Sequence, residues 1–225
     1  FQLCILLRLK LKFMQFIKDE LARMNVVVHS NTLVKDFKMQ NNTIISIVTD
    51  KGEFATDEVV LSSGSWSPEI AKKLNVGISI LPGKGYSFTL NNRADKPAIP
   101  SILCEGKVAV TPMSTDIRFG GTMEITHTND LKINQNRLQG IVNSINDFYP
   151  DLKINMPEEK DTWFGFRPCT PSGMPVIARD KKISNLVLAT GHAMMGLSLA
   201  PATGKIVTEI ISNKATSVNT QMFQL

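Results

Sequence analysis

The chain has 225 residues, 43% of them hydrophobic and 20% charged, an ordinary globular composition with length for one large domain or two small ones. No apolar run reaches the roughly 18 residues that a membrane-crossing helix needs. The net charge of +5 comes from scattered lysines and arginines, so no nucleic-acid partner is expected, because phosphate binding needs charge focused on one face. A weak attraction for an anionic substrate is all the charge suggests.

Cys4, Cys104 and Cys169 lie far apart with no C-x-x-C pair, which points away from a disulfide framework or a zinc site and toward a reduced, cytosolic setting. The amino end starts at Phe1. Its apolar stretch has no basic region before it and no small-residue cleavage site after it, so a signal peptide is not expected. The alternation of Leu7, Leu9 and Leu11 with Arg8, Lys10 and Lys12 suggests a strand, or a chain cut in mid-domain. Phe13, Ile17, Leu21 and Met24 then fall on one helical stripe that ends at Asn25, and Val26-Val27-Val28 reads as a short buried strand.

Residues 33–39, 43–49 and 53–55 are β-rich runs separated by Asn41-Asn42 and Lys51-Gly52, which predicts an antiparallel meander. Residues 58–61 form another buried strand. Ser67 is read as the N-cap of a short helix with Pro68 in its first turn. Pro82-Gly83-Lys84-Gly85 is read as a break before a strand at 86–90, and residues 108–111 and 117–120 as a hairpin over Ser114-Thr115-Asp116. Leu138, Ile141, Val142, Ile145 and Phe148 mark an amphipathic helix stopped by Pro150. A strand at 161–167 leads into a proline-rich turn. A buried strand at 186–189, a turn at Thr190-Gly191-His192 and a helix at 197–212 complete the chain. A simple alternating doubly wound fold would not contain the central β-rich block.

Three units carry chemistry. In the first, Gly191-His192-Ala193-Met194-Met195-Gly196 joins a buried strand to a helix. Glycines let a backbone approach a ligand, and a helix N-terminus offers free N–H groups with a positive dipole end. A phosphate fits there, and so does the flavin edge that becomes negative on reduction; plain helix–sheet packing gives the same pattern. In the second, Arg167 stands between aromatics and Pro168. A held guanidinium grips a carboxylate through two parallel hydrogen bonds, whether the carboxylate is a substrate's or a structural Asp or Glu. In the third, the strand at 59–61 ends in Ser62-Ser63-Gly64-Ser65-Trp66, small residues at a sheet edge of the kind where α/β folds bind ligands.

Together with Pro82-Gly83-Lys84-Gly85-Tyr86-Ser87 and Arg118-Phe119-Gly120-Gly121-Thr122-Met123-Glu124, these units resemble, in order and spacing, the D-amino acid dehydrogenase and oxidase superfamily of FAD enzymes over residues 13–212. The Gly-Phe-Arg-Pro-Cys-Thr-Pro-Ser-Gly and Gly-His-Ala-Met-Met-Gly stretches are most similar to the bacterial dehydrogenase branch. The resemblance implies an α/β (α+β) fold: part of a Rossmann-like FAD-binding domain in residues 1–82 and 168–225, and a mainly antiparallel substrate domain in 83–167. It implies that Arg167 anchors the carboxylate of an amino acid substrate, with Tyr86 in the motif that opens the substrate sheet. Gly191, His192, Met194, Met195, Gly196 and Leu197 would line the flavin, and Gly64 and Trp66 would pass near the nucleotide end.

The implied reaction is oxidative deamination of a D-amino acid by hydride transfer to FAD, with no acid–base dyad required and no metal. A glycine- or sarcosine-type amine oxidase is the alternative on the same frame. The expected location is cytoplasmic, with peripheral association at the inner membrane face compatible with it. Complete members open with a strand, a G-x-G-x-x-G turn and a helix. That fingerprint is not among these residues, so the sequence is read as a fragment, with an inactive chain unable to hold FAD alone as the further alternative.

Overall fold

In a computed structural model of the protein, residues 2–224 are described, and of residues 2–11 the backbone alone. The elements in chain order are α1 (Gln2–Arg23), β1 (Val34–Gln40), β2 (Thr43–Thr49), β3 (Gly52–Ala55), β4 (Val59–Leu61), α2 (Ser67–Lys72), β5 (Leu81–Leu90) and β6 (Ser101–Leu103). They continue with β7 (Val108–Pro112), β8 (Ile117–Ile125), α3 (Gln135–Phe148), β9 (Thr162–Cys169), β10 (Val176–Arg179), β11 (Leu186–Thr190) and α4 (Gly196–Ile211). Two compact units emerge: Phe1–Val28 with Lys84–Glu124 and Leu131–Gly165, and His29–Gly83 with Ile125–Asp130 and Phe166–Leu225.

The first unit is built on a five-stranded sheet of order β6-β7-β8-β5-β9, antiparallel from β6 through β8. Side chains alternate across a strand, so Tyr86 and Phe88, Val108 and Val110, and Ile117 and Phe119 share one face. There they meet Leu138, Ile141, Val142 and Ile145, the apolar stripe of α3, in one buried cluster. Each such side chain contributes roughly 1.5–3 kcal/mol by leaving water. Asn134 caps α3 by accepting from the Arg137 N–H, and the helix stops before Pro150, which cannot continue it.

The second unit holds the meander β1-β2-β3 and a three-stranded sheet of order β10-β11-β4, in which β11 pairs antiparallel with β10 and parallel with β4. All five residues of β11 are buried, as its continuous apolar run requires. Asn185 stitches the two sheets together. Its Nδ2 donates to the carbonyls of Ile44 (2.8 Å) and Asp57 (2.9 Å), and its Oδ1 accepts from the Ile44 N–H (2.9 Å). A buried amide so fully satisfied holds both strands in register.

The mixed α/β fold with antiparallel sheets agrees with the expectation, and several local readings change. The Leu7–Lys12 alternation is no strand, since its backbone lies inside α1. Asn25 ends the helix at φ 57°, a conformation Asn tolerates. Val26-Val27-Val28 forms no strand, and all three side chains are exposed. Pro82–Gly85 does not break the chain but lies within β5; proline and glycine still allow an extended backbone. The cap of α2 is Trp66 rather than Ser67, whose buried hydroxyl turns instead to Ser63 and Thr190. Strands β6 and β10 fall where no strand is expected. No helix of the described residues is long and apolar enough to cross a membrane.

Candidate functional site

In the second unit, β4 and β11 lie side by side and parallel, so their C-terminal ends open together. The chain leaves β4 through Gly64 at φ 57° and leaves β11 through Gly191 at φ 82°, both in the left-handed region that glycine enters without strain. Hydroxyls tie the two exits. Ser67 Oγ lies 3.0 Å from Thr190 Oγ1 and 3.2 Å from Ser63 Oγ, and Thr190 Oγ1 donates to the Gly64 carbonyl at 3.3 Å.

Pro168 fills the space between these exits. Its carbonyl accepts from the Ala193 N–H at 3.0 Å, and its ring lies 4.0 Å from where a Cβ on Gly64 would stand. Phe166, two residues earlier, packs edge-on against Trp66 with ring centroids 5.9 Å apart. The three sequence units carrying Gly64 and Trp66, Arg167, and Gly191 through Gly196 are therefore brought together within this unit.

Arg167 stands between Phe166 and Pro168 in β9. Its Nη1 is buried and has no hydrogen-bond partner, and burial pushes its pKa down while Cys169 pulls it the other way. An arginine remains charged regardless, and an unpaired buried donor of this kind costs about 1–3 kcal/mol. The two readings open from sequence, a structural carboxylate or a ligand's, thus separate: among the described residues no Asp or Glu pairs with it. This orphaned donor suits an external anion.

The helix end is arranged for the same purpose. α4 starts at Gly196, and its N-cap, Met195, supplies no side-chain hydrogen bond, which leaves the first-turn N–H groups and the positive dipole end without a side-chain partner. Met194, Met195 and Trp66 are exposed, and Leu197 is partly buried in the first turn of α4. His192 is half-buried, with Nε2 2.9 Å from Thr203 Oγ1, and burial holds its pKa below the usual imidazole value. Thr203 escaped notice in the sequence because it lies 11 residues away, on α4. A flavin is a flat apolar ring system with a polar edge. An apolar rim, a glycine turn and an uncapped helix end fit one.

Tyr86 belongs to the first unit, where it is 1% exposed and its hydroxyl donates to Glu124. The same carboxylate accepts from Asn134 Nδ2 at 2.9 Å and lies 3.5 Å from Arg137 Nε. Burial pushes the Glu124 pKa up, but the Tyr86 hydroxyl, the Asn134 amide and the charges of Arg137 and Lys84 outweigh it, and the group stays below the ordinary carboxylate value. Lys84, fully buried, donates to the Lys132 carbonyl and lies 4.7 Å from the Phe164 ring centroid. Glu124 was not singled out from sequence, though the Arg118–Glu124 motif contains it. An acid at a strand end ten residues before a capping Asn was the available signal.

Residues 10–210 match the family model described as DAO, FAD dependent oxidoreductase. The chain is 30% identical over 212 residues to the D-amino acid dehydrogenase of Rhizobium rhizogenes, covering 93% of this chain and 50% of that protein. It is 35% identical over 190 residues to that of Vibrio atlanticus, covering 84% and 45%. It therefore spans about half the length of these curated relatives. Among solved structures, glycine oxidase from Geobacillus kaustophilus shares the fold, with a TM-score of 0.75 at 22% identity over 88% of this chain and 53% of that one. With the match running through every strand and helix that builds the cluster around Pro168, the chain belongs to the DAO family of FAD-dependent oxidoreductases.

Proposed function

We propose that this chain supplies the substrate grip and the flavin-facing turn of an FAD-dependent D-amino acid dehydrogenase. The observation that carries the reading is Arg167, whose buried Nη1 has no acceptor within the described residues. A guanidinium held beside a rigid proline binds a carboxylate through two parallel hydrogen bonds, fixing both its charge and its orientation. The relatives named as D-amino acid dehydrogenases supply the substrate class.

Bound FAD would supply the hydride acceptor for oxidising the amine-bearing carbon to an imine, which water would hydrolyse to a keto acid and ammonia. The chain's own residues orient and shield. Arg167 holds the carboxylate, while Gly191 and Gly64 let backbone approach the cofactor. Trp66, Met194, Met195 and Leu197 give it an apolar rim, and the Gly196 end of α4 favours negative charge. His192, kept neutral by burial and held by Thr203, positions the turn without adding charge. Tyr86 and its partner Glu124 shape the substrate-side sheet, which we assign to residues 83–167 between two cofactor-side segments. A cytoplasmic setting suits this role.

The test uses the full-length gene product with a panel of D-amino acids and a dye acceptor. Replacing the fork by a point charge in Arg167→Lys removes one charge-assisted hydrogen bond of about 1.5–3 kcal/mol. KM for every D-amino acid turned over should rise by about 10- to 100-fold, with the flavin spectrum unchanged. An unchanged KM would remove Arg167 from the substrate, and an absence of turnover across the panel would overturn the dehydrogenase reading.

A further inference from the structure

We propose that the hydroxyl of Ser65 donates a hydrogen bond to an oxygen of FAD, fastening the turn after β4 to the bound cofactor. The inference rests on the reading of Gly64 and Gly191 as the cofactor-facing exits of the second unit. Ser65 is 4% exposed, and its Oγ is buried with no hydrogen-bond partner among the described residues. Buried hydroxyls are nearly always paired, because one that leaves water without a replacement partner carries the whole cost of desolvation. Alanine would fill the same place without that cost. A serine here therefore calls for a partner.

The neighbouring hydroxyls show what satisfaction looks like here. Ser67, fully buried, has its Oγ 3.0 Å from Thr190 Oγ1 and 3.2 Å from Ser63 Oγ, and Thr190 Oγ1 also donates to the Gly64 carbonyl. Ser65 lies inside the same turn and shares in none of these bonds. The turn has little freedom to change that. The Trp66 N–H donates to the Ser63 carbonyl at 3.1 Å, the Trp66 ring packs edge-on against Phe166, and Thr190 holds the Gly64 carbonyl. What remains is rotation about the Ser65 Cα–Cβ bond, among three staggered positions. Such a rotation lets the hydroxyl meet a ligand while the backbone stays in place.

The place of Ser65 in the second unit says which ligand. It follows Gly64, where β4 and β11 open together, and precedes the exposed Trp66. The other buried side-chain atom without a partner among the described residues is Nη1 of Arg167. The positions next to these two residues meet: a Cβ on Gly64 would stand 4.0 Å from Pro168 Cγ. Two unmet donors beside one meeting point of the chain mark a place where acceptors arrive from outside. With Arg167 assigned to the substrate's carboxylate, the acceptor left for Ser65 is the cofactor's. FAD brings oxygens in its phosphates, its ribityl hydroxyls and its ring carbonyls.

The experiment uses the full-length gene product, stripped of flavin and titrated with FAD while flavin fluorescence is followed. Ser65→Ala should raise Kd for FAD by about 10-fold, as the loss of one hydrogen bond to a cofactor oxygen does. The apoprotein should respond in the opposite sense. Removing an orphaned hydroxyl should hold its Tm or raise it by about 1–4 °C. A structural role cannot give this crossing of signs: Ser67→Ala, which breaks bonds inside the protein, should lower Tm of apoprotein and holoenzyme alike. Ser65→Cys, which keeps the shape with a weaker donor, should give an intermediate Kd. A fall in the apoprotein Tm of Ser65→Ala, or a Kd within about 2-fold of wild type, would overturn the bond. If wild type takes up no FAD, the cofactor-facing reading of both glycines falls and the bond with it; if wild type binds FAD and Ser65→Ala binds it equally well, only the bond falls.

Discussion

Gly191→Ala tests whether the turn after β11 is built as tightly as its geometry indicates. Gly191 sits at φ 82°, where an alanine pays about 1–2 kcal/mol for crowding its own carbonyl. The added Cβ would also stand 2.7 Å from Thr170 Cγ2, well inside contact distance. Thr170 cannot swing aside freely, because its Oγ1 donates to the Met174 carbonyl at 2.7 Å, and the new methyl is further confined by the Val176 nitrogen at 3.5 Å. Overpacking of this kind costs about 1–3 kcal/mol, so the sum is roughly 2–5 kcal/mol. For a domain of this size each kcal/mol moves Tm by about 2–4 °C, which predicts a fall of roughly 10 °C. Differential scanning fluorimetry of the full-length gene product measures it. Thr170→Ser, which deletes Cγ2 and keeps the hydroxyl, should recover about half of the loss in the Gly191→Ala background and cost little alone. A Tm within about 2 °C of wild type, or no recovery from Thr170→Ser, would refute the steric account.

Other expectations follow from the same geometry. Tyr86→Phe removes one donor from the partly buried Glu124 carboxylate and should cost about 1 kcal/mol in denaturant titrations. Glu124 is held below its ordinary value, so its contribution is present above the unfolded pKa of about 4.3 and is lost as pH falls through the folded value. Tyr86→Phe should therefore flatten the acid side of a Tm-against-pH profile, and an unchanged profile would argue against the pairing. His192 also has a lowered pKa, so protonation below the unfolded value of about 6.5 opposes folding. Wild type should lose stability from pH 7 to pH 5 through this group, and His192→Gln should remove that part of the slope. Asn185→Ala leaves the Ile44 and Asp57 backbone groups unpaired and should destabilise by about 2–4 kcal/mol, read by chemical denaturation.

Local elements were legible where one periodicity dominated. The α3 stripe from Leu138 to Ile145, the β7–β8 hairpin and the buried β11 each bury what their pattern said they would, because a single face meets a single core, whereas Phe148 at the end of the stripe is exposed. Val26-Val27-Val28 shows the opposite case: an apolar run signals burial only if something covers it, and here nothing in the described residues does. Pro82–Gly85 misled because proline and glycine mark turns on average, whereas the extended backbone they adopt is also that of a strand. Ser67 looked like a cap, but a hydroxyl goes where the stronger unmet acceptor is, and Thr190 lies 123 residues away.

The placement of Arg167 shows why the site needed tertiary information. Its type and its proline neighbour were visible in sequence, yet two explanations remained, and what separates them is that no Asp or Glu among the described residues pairs with it. The rigidity around it is assembled from residues far apart in the chain. Pro168 has a φ fixed by its ring, which stiffens the backbone here, and its carbonyl accepts from the Ala193 N–H. Ala193 itself stands at φ 46°, a conformation that costs a non-glycine residue something and persists only if its surroundings enforce it. The backbone that aims the guanidinium and the backbone that turns Gly191 into α4 are thus one hydrogen-bonded piece. A substrate's carboxylate and a cofactor's ring held by that piece would share a single rigid reference, the arrangement hydride transfer requires.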